Sequence, residues 1–561
     1  MSLVKIEIGD WLKNASIVGL LKVLEHKKQS INEVNIQKNY IEFDTSMLEG
    51  FEEAYFQVLF KEHGKSISWF KLVSYMDEVN FMAENETTEK SIDRLNKIID
   101  DMKSKSLINS NSYKSAYELL DDENDKIWIA NKEKELIKIK HKKKYNPLDF
   151  KEEVLEQIAI IKDIINWFKK PEIKKFIMAK NVMYEVIQPF WNNVSILLKT
   201  NNKSNMYELY KQDFIDNFIN YSESDTSKNK YNCFTCNNKI KKLSKPEAFD
   251  LTWLVKTGVD MSRKSSHFWN MNGDAYICPI CNLVYSCLPL GFIVKKKKGI
   301  FINNNQNIKA LKQCNIVATN YEDKKYEEIE NLSYYNIFNS MENVSIENID
   351  KEFENIQVVK IDGNNDRRPY SFNILSLRLM KILYFHRKNL ESLIKIRVKI
   401  TEKYYLNLYD EVIRRIYDGK NLLDLIHKLL IMYLDDKKFK GINIIYKILK
   451  INSSLMGGKD MRQEDINNFR NYGIRLKEAY EKKNAKSKLS GISYRLLNAI
   501  KTKDTGKFMD TILNAHMYMR MELPKELGLA LRDNDKLQNI GYAFVLGLQS
   551  ESLKKEHEGE N

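Results

Sequence analysis

Glycine and proline are scarce in this 561-residue chain, at 20 and 8 residues. With so few turn-formers and helix-breakers, most of the chain reads helical. Cysteine is scarcer still, six residues in all. No secretory leader is expected, because Lys5, Glu7 and Asp10 precede any apolar run and no small-residue cleavage site follows. The longest charge-free run, Ile277 to Val294, approaches the length of a membrane span. Pro279, Pro289, Gly291 and a cysteine pair interrupt it, so a metal knuckle running into a buried strand is expected instead. The chain is therefore expected in the cytoplasm, away from membranes, where paired cysteines hold metal more often than they form disulfides.

Catalytic signatures are missing as well. There is no G-x-x-x-x-G-K-[ST], and "MGGKD" at Met456 to Asp460 lacks the flanking strand and the hydroxyl residue. His26, His63, His141, His267, His386, His427, His516 and His557 never form HD or HExxH, and no G-x-S-x-G elbow occurs. A binding protein is expected rather than an enzyme. A metal-dependent nuclease with a structural zinc site is the alternative, since carboxylate ligands can be scattered. A zinc-stabilised scaffold binding only protein is a third reading.

What is present is positive charge and an apolar content sufficient for real cores. Lys and Arg number 90 against 76 acids, a net charge of +14, and 43% of residues are hydrophobic. Part of the lysine follows from the Lys, Asn and Ile bias of AT-rich coding, but the excess favours a polyanionic partner. Basic clusters recur at Lys138 to Pro147, Trp167 to Lys175, Lys295, Lys296, Lys297 and Lys298, Arg367 and Arg368, and Arg387 to Lys399. Spread along the chain, they suit a long polyanion and salt-dependent binding.

Hydrophobic periodicity places helices at Val154, Leu155, Ile158, Ile161, Ile165 and Phe168, and at Ile92, Leu95, Ile99 and Met102. Asp149 with Glu152 is a plausible capping start for the first, and Pro171 follows its end. A further long helix is expected from Ser376. Short strands are expected in "GFIVKKKKGIFI", joined by a lysine turn at Lys295 to Gly299, and in "IQVVKIDGNNDRRPY". A terminal block carries four helical patterns: Phe469, Gly473, Leu476 and Tyr480; Ile492, Leu496 and Ile500; Phe508, Ile512, Ala515 and Met519; and "IGYAFVLGL" after Pro524. The predicted class is mainly α with a smaller β-containing middle region (α+β), a four-cysteine zinc-ribbon-like insert and a C-terminal helical bundle. The predicted segments are 1–230 mostly helical, 231–292 zinc-binding, 293–375 β-containing, 376–456 helical and 457–561 a small-subunit-like bundle. Gly457 and Gly458 are either a linker to that bundle or, as GGAGGA codons, a ribosome-binding site for an internal start at Met461.

Cys233, Cys236, Cys278 and Cys281 read C-x2-C-x41-C-x2-C. Two intervening residues let both thiolates of a pair face one ion, and two such pairs complete a tetrahedral four-sulfur shell. Such a shell leaves no open position, so a structural Zn2+ is expected there. Cys287 and Cys314 are expected in the core. The long spacer brings Lys256, Arg263, Lys264, Ser266, Asn270 and Asn272 onto one segment pinned at both ends, an inventory suited to phosphates and base edges.

The opening "GDWLKNASIVGLLKVL" carries Gly9, Asp10, Trp11, Asn14, Ala15, Ile17, Gly19 and Leu24. With the cysteine pairs in mid-chain and the helical end block, it resembles the large subunit of the type I-B CRISPR Cascade (surveillance) complex, over the whole length. Only the opening and the cysteines are specific, and Ala15 stands where glycine is the more common choice. From the residues themselves, Asp10 can cap a helix and Trp11 can anchor the turn; alternatively Trp11, Lys13 and Asn14 touch an RNA end. The resemblance implies a non-catalytic subunit that contacts the 5′ handle of the crRNA. It also implies recognition of the protospacer-adjacent motif in target double-stranded DNA and help in opening the strands. The implied partners are the other Cascade subunits (backbone, handle-binding and small) and the helicase-nuclease.

Overall fold

A computed structural model describes residues 2–27, 34–104, 107–140, 146–255, 257, 276–295, 297–316, 325–339, 356–365, 369–374, 376–402, 404–435, 439, 441–455, 463–531 and 534–550. The chain forms two compact units, Met1–Met341 with Glu354–Ile374, and Glu342–Phe353 with Leu375–Asn561. The architecture is mainly α with several small antiparallel sheets, as the sequence predicts.

The first unit is built round helix α1 (Trp11–His26), which follows strand β1 (Leu3–Glu7). Asp10 is extended and accepts from the Lys13 N–H at 3.0 Å, capping the helix as expected. Buried side chains lie on every face of α1, which marks a helix enclosed by its neighbours. β1 pairs with β3 (Tyr40–Asp44), which pairs with β2 (Val34–Ile36), in an antiparallel sheet of order β1-β3-β2. Val4 and Ile6 point inward while Lys5 and Glu7 face water, the strand alternation. Helix α2 (Phe51–His63) packs on α1.

One expectation fails after the second cysteine pair. The run from Ile277 to Val294 forms helices α3 (Pro279–Ser286) and α4 (Leu288–Gly291) before it reaches β8 (Ile293–Lys295). Cys278 is extended and Pro279 sits at the first helical position, where its missing N–H costs nothing. Every residue of α3 and α4 is buried, so the run carries no polar period to distinguish strand from helix.

α4 crosses α1 at van der Waals distance through small residues. A Cβ on Gly19 would stand 2.0 Å from the Cys287 carbonyl oxygen, and one on Gly291 2.0 Å from the Ala15 carbonyl oxygen. Ala15 and Gly19, one turn apart, thus form the flat face on which α4 rests. Beyond it, β8, β9 (Lys298–Asn304), β10 (Ile356–Asp362) and β11 (Tyr370–Ile374) make an antiparallel sheet of order β11-β10-β9-β8. Lys295 pairs with Lys298, so the β8–β9 turn is tighter than predicted and Gly299 lies inside the strand. Helices α5 (Ile308–Cys314) and α6 (Tyr326–Asn339) follow β9.

Elsewhere in this unit the helices at Glu89–Lys103 and Lys151–Phe168 bury the predicted Ile92, Leu95, Ile99 and Met102, and Val154, Ile158, Ile161, Ile165 and Phe168. Leu155 instead remains exposed. Asp149 does not cap the second helix; Asn146 caps a 3-10 turn over Pro147–Phe150 that leads into it. Pro171, past its end, opens the next helix.

In the second unit, the long helix expected from Ser376 divides into Leu377–Phe385 and Arg387–Glu391. His386 sits at the break, its Nε2 2.8 Å from Ser454 Oγ and its Nδ1 3.1 Å from Asn389 Nδ2. β12 (Arg397–Lys399) and β13 (Tyr405–Asn407) form a short hairpin. The terminal block contains α7 (Gln463–Lys482), α8 (Ser487–Thr502), α9 (Thr505–Met519) and α10 (Asn534–Gln549). Phe469, Leu476, Tyr480, Leu496, Ile500, Phe508 and Ile512 are all buried, as their spacing requires. Glycine again sets the closest approach: a Cβ on Gly473 of α7 would lie 2.2 Å from the Phe544 carbonyl oxygen, and one on Gly547 of α10 2.0 Å from that of Arg470. Gly457, Gly458 and Met461 lie outside the described residues.

Candidate metal centre

Each cysteine pair sits on a turn whose backbone is closed locally. β4 (Tyr231–Asn232) and β5 (Lys239–Ile240) form a two-stranded ladder that presents the first pair. The Cys233 N–H donates to the Asn238 carbonyl at 2.8 Å and the Asn237 N–H to the Cys233 carbonyl at 3.0 Å. Asn237 has φ +61°, a left-handed conformation that a short polar side chain tolerates well. The second pair opens α3: Cys278 is its N-cap and Cys281 lies in its first turn. β6 (Phe249–Asp250) pairs with β7 (Tyr276–Ile277), and the Phe234 N–H donates to the Tyr276 carbonyl at 2.9 Å, joining the two turns.

The joint brings all four sulfurs within 4.8 Å of one another. Cys233 Sγ lies 3.8 Å from Cys281 Sγ, and Cys236 Sγ 3.6 Å from Cys278 Sγ. Bonds of about 2.3 Å to a central ion put tetrahedral sulfurs about 3.8 Å apart, whereas a disulfide requires about 2.05 Å. The group therefore has the dimensions of a four-thiolate shell and could hold a metal ion; all six cysteines are free. The Cys278 N–H donates to Cys233 Sγ at 3.3 Å, a contact that favours the thiolate. Hydrogen bonds from the Cys236, Cys278 and Cys281 thiols hold Cys233 well below the usual thiol range. The Cys233 and Cys236 sulfurs push Cys281 up, and burial followed by the same sulfurs pushes Cys278 up. Four sulfurs this close cannot all ionise unaided, and a bound cation removes that conflict. Cys287 and Cys314 are core residues as expected; burial pushes Cys287 up to about 12.

Of the residues assigned to nucleic acid from the sequence, Lys256, Arg263, Lys264, Ser266, Asn270, Asn272, Lys296, Arg367 and Arg368 lie outside the described residues. Lys295, Lys297 and Lys298 form the β8–β9 hairpin, with Lys297 exposed at the turn and Lys298 3.7 Å from Asp362. The opening motif is built into the core. Trp11, Lys13 and Asn14 are buried, and the Trp11 ring lies 5.1 Å from Tyr370 and 5.5 Å from Phe372. Asn14 accepts from the Gly9 N–H at 2.8 Å and donates to the Oδ1 atoms of Asn303 at 2.9 Å and Asn305 at 3.0 Å. It thereby ties the start of α1 to the end of β9, two elements almost three hundred residues apart.

Two cavities border the lysine hairpin. The larger, about 650 Å³, is rimmed by Lys22, Lys61, Lys65, Lys295 and Lys312. The smaller, about 320 Å³, is lined by His63, Ser66, Glu185, Val186, Val294 and Lys297. The four rim lysines other than Lys295 carry no joint signal in the sequence, because Lys22 of α1, Lys61 of α2 with Lys65 on the turn after it, and Lys312 of α5 lie far apart along the chain.

Residues 226–293 match the model of a family described as CRISPR-associated protein (Cas_CXXC_CXXC). No curated protein and no solved structure matches the chain. The matched stretch holds both sulfur-bearing turns and the spacer between them, and it indicates a CRISPR-associated protein.

Proposed function

We propose that this chain is the non-catalytic, nucleic-acid-binding large subunit of a type I-B CRISPR interference complex, with a structural zinc ion held by Cys233, Cys236, Cys278 and Cys281. The observation that carries the reading is the four-sulfur cluster inside the matched stretch. It anchors both ends of the spacer that contains Lys256, Arg263, Lys264, Ser266, Asn270 and Asn272. The zinc supplies folding energy and fixed geometry, with no open coordination position for chemistry. The net charge of +14 supports a polyanionic partner.

In this role base pairing to the crRNA reads the target. The protein contacts the crRNA 5′ handle, reads the protospacer-adjacent motif in duplex DNA, supports strand opening and recruits the helicase-nuclease. The assembled complex, offered duplexes carrying every variant of a short flanking motif, should discriminate among them. Charge reversal of Arg263 and Lys264 together should weaken duplex binding about tenfold or more. Unchanged affinity would remove the spacer from this role. The purified chain with Mg2+ should leave DNA and RNA uncut.

A further inference from the structure

The two cavities beside the β8–β9 hairpin share His63, Ser66 and Val294, so they are neighbouring hollows of one groove. The floor of the larger is apolar: Val18 of α1, Phe292, Ile293 of β8, Ile316 just past α5 and Ile329 of α6. Among its described lining residues five lysines stand with two carboxylates, a net charge of +3. Both carboxylates are engaged, Glu62 with Lys22 at 2.9 Å and Glu25 with Lys312, so they hold two of the lysines in place. In the shared wall His63 is buried and its Nε2 has no hydrogen-bond partner among the described residues. Lys297 stands at the smaller hollow, two residues beyond Lys295 at the larger.

We propose that this groove seats successive nucleotides of a single nucleic-acid strand, with bases on the apolar floor and phosphates along the lysine rim. The assignment rests on the nucleic-acid-binding reading above and names a place for the strand. An apolar hollow with a cationic rim matches a flat, weakly polar base joined to an anionic phosphate. The larger cavity, at about 650 Å³, suits one nucleotide and is too small for a duplex. A strand tracked in this way gains from base burial as well as from charge, and binds with little dependence on base identity.

The test uses the full chain and fluorescent 12-residue oligonucleotides: ribo, deoxy, and a deoxy strand with every base removed. Base-bearing strands should bind about tenfold or more tighter than the abasic strand of equal charge. The ribo and deoxy arms show which sugar is preferred. Ile316→Trp fills the hollow from a half-exposed position, 49% accessible, and should reduce base-bearing affinity to the abasic level without changing abasic binding. Lys61→Glu, at an exposed rim position, should weaken both. Equal binding of base-bearing and abasic strands by the unaltered chain overturns the assignment and requires no variant. Tight, base-dependent binding unaffected by Ile316→Trp, in a variant with an unchanged melting profile, also overturns it while leaving the broader reading intact. No binding of any strand at low salt overturns both.

Discussion

The C-terminal bundle and the cysteine-bearing region are held together by different means. In the bundle, helices of 15 to 20 residues bury regularly spaced apolar side chains. In the cysteine region the strands β4 to β7 are two residues long each. Such ladders are too short to persist alone, and the four sulfurs are the densest link between them. One region draws its stability from apolar packing along long helices; the other, under the proposed function, adds a bound ion to the packing of its cysteines and their neighbours in the core. The difference predicts which parts of the molecule respond to chelation, to steric change and to acid.

The largest expected effect is on the metal shell. Cys278→Ser should release the ion and cost several kcal/mol locally, a fraction of the roughly 10–16 kcal/mol that structural zinc supplies to small metallo-domains. Hydrogen exchange should rise across 231–240 and 276–287 while α7 to α10 keep their protection. Equal loss of protection in the bundle would erase the contrast.

Steric change should do the reverse. Gly473→Val places a methyl-bearing carbon against the Phe544 carbonyl, forcing α7 from α10 at a cost of about 3 kcal/mol. Urea unfolding should show the second unit weakened with metal content unchanged. Gly19→Val meets the Cys287 carbonyl on the first unit's own crossing, six residues beyond Cys281. It should lower both stability and metal retention, which sharpens the comparison.

Acid reaches both units, but unequally. Burial pushes His63 in the first unit and His386 in the second down to about 4. The folded state then binds fewer protons than the unfolded chain between about pH 6.5 and 4, so stability falls as pH drops through that window. Each histidine contributes about 2 kcal/mol of this loss at pH 5. Thiolate protonation adds to it in the cysteine region alone, so exchange there should rise at a higher pH than in the bundle. The smallest effect belongs to Asp10→Ala, which removes the α1 cap for about 1 kcal/mol, measurable as a shift in the thermal midpoint.

How much could be read from the sequence divides along the same line. The bundle was legible because its apolar positions keep a helical period from Phe469 onward. The sulfur cluster was legible because C-x-x-C spacing is local chemistry. The course after Cys281 was not, since a run buried on all sides has no period to read. At the break, His386 bonds Ser454, sixty-eight residues away, a partner that no local pattern names. Asn14 and Gly19 stood out in the opening motif, yet their partners, Asn303, Asn305 and the Cys287 backbone, are visible only once the chain is folded. The first strand did carry a signal, the alternation of Val4 and Ile6 with Lys5 and Glu7, which the helical pattern beside it overshadowed.

Metal content tests the central claim most directly. Elemental analysis of the purified full chain, with X-ray absorption at the metal edge, should give one zinc per chain in a shell of four sulfurs at about 2.3 Å. A folded chain with no bound metal and four freely titrating thiols at Cys233, Cys236, Cys278 and Cys281 would contradict it.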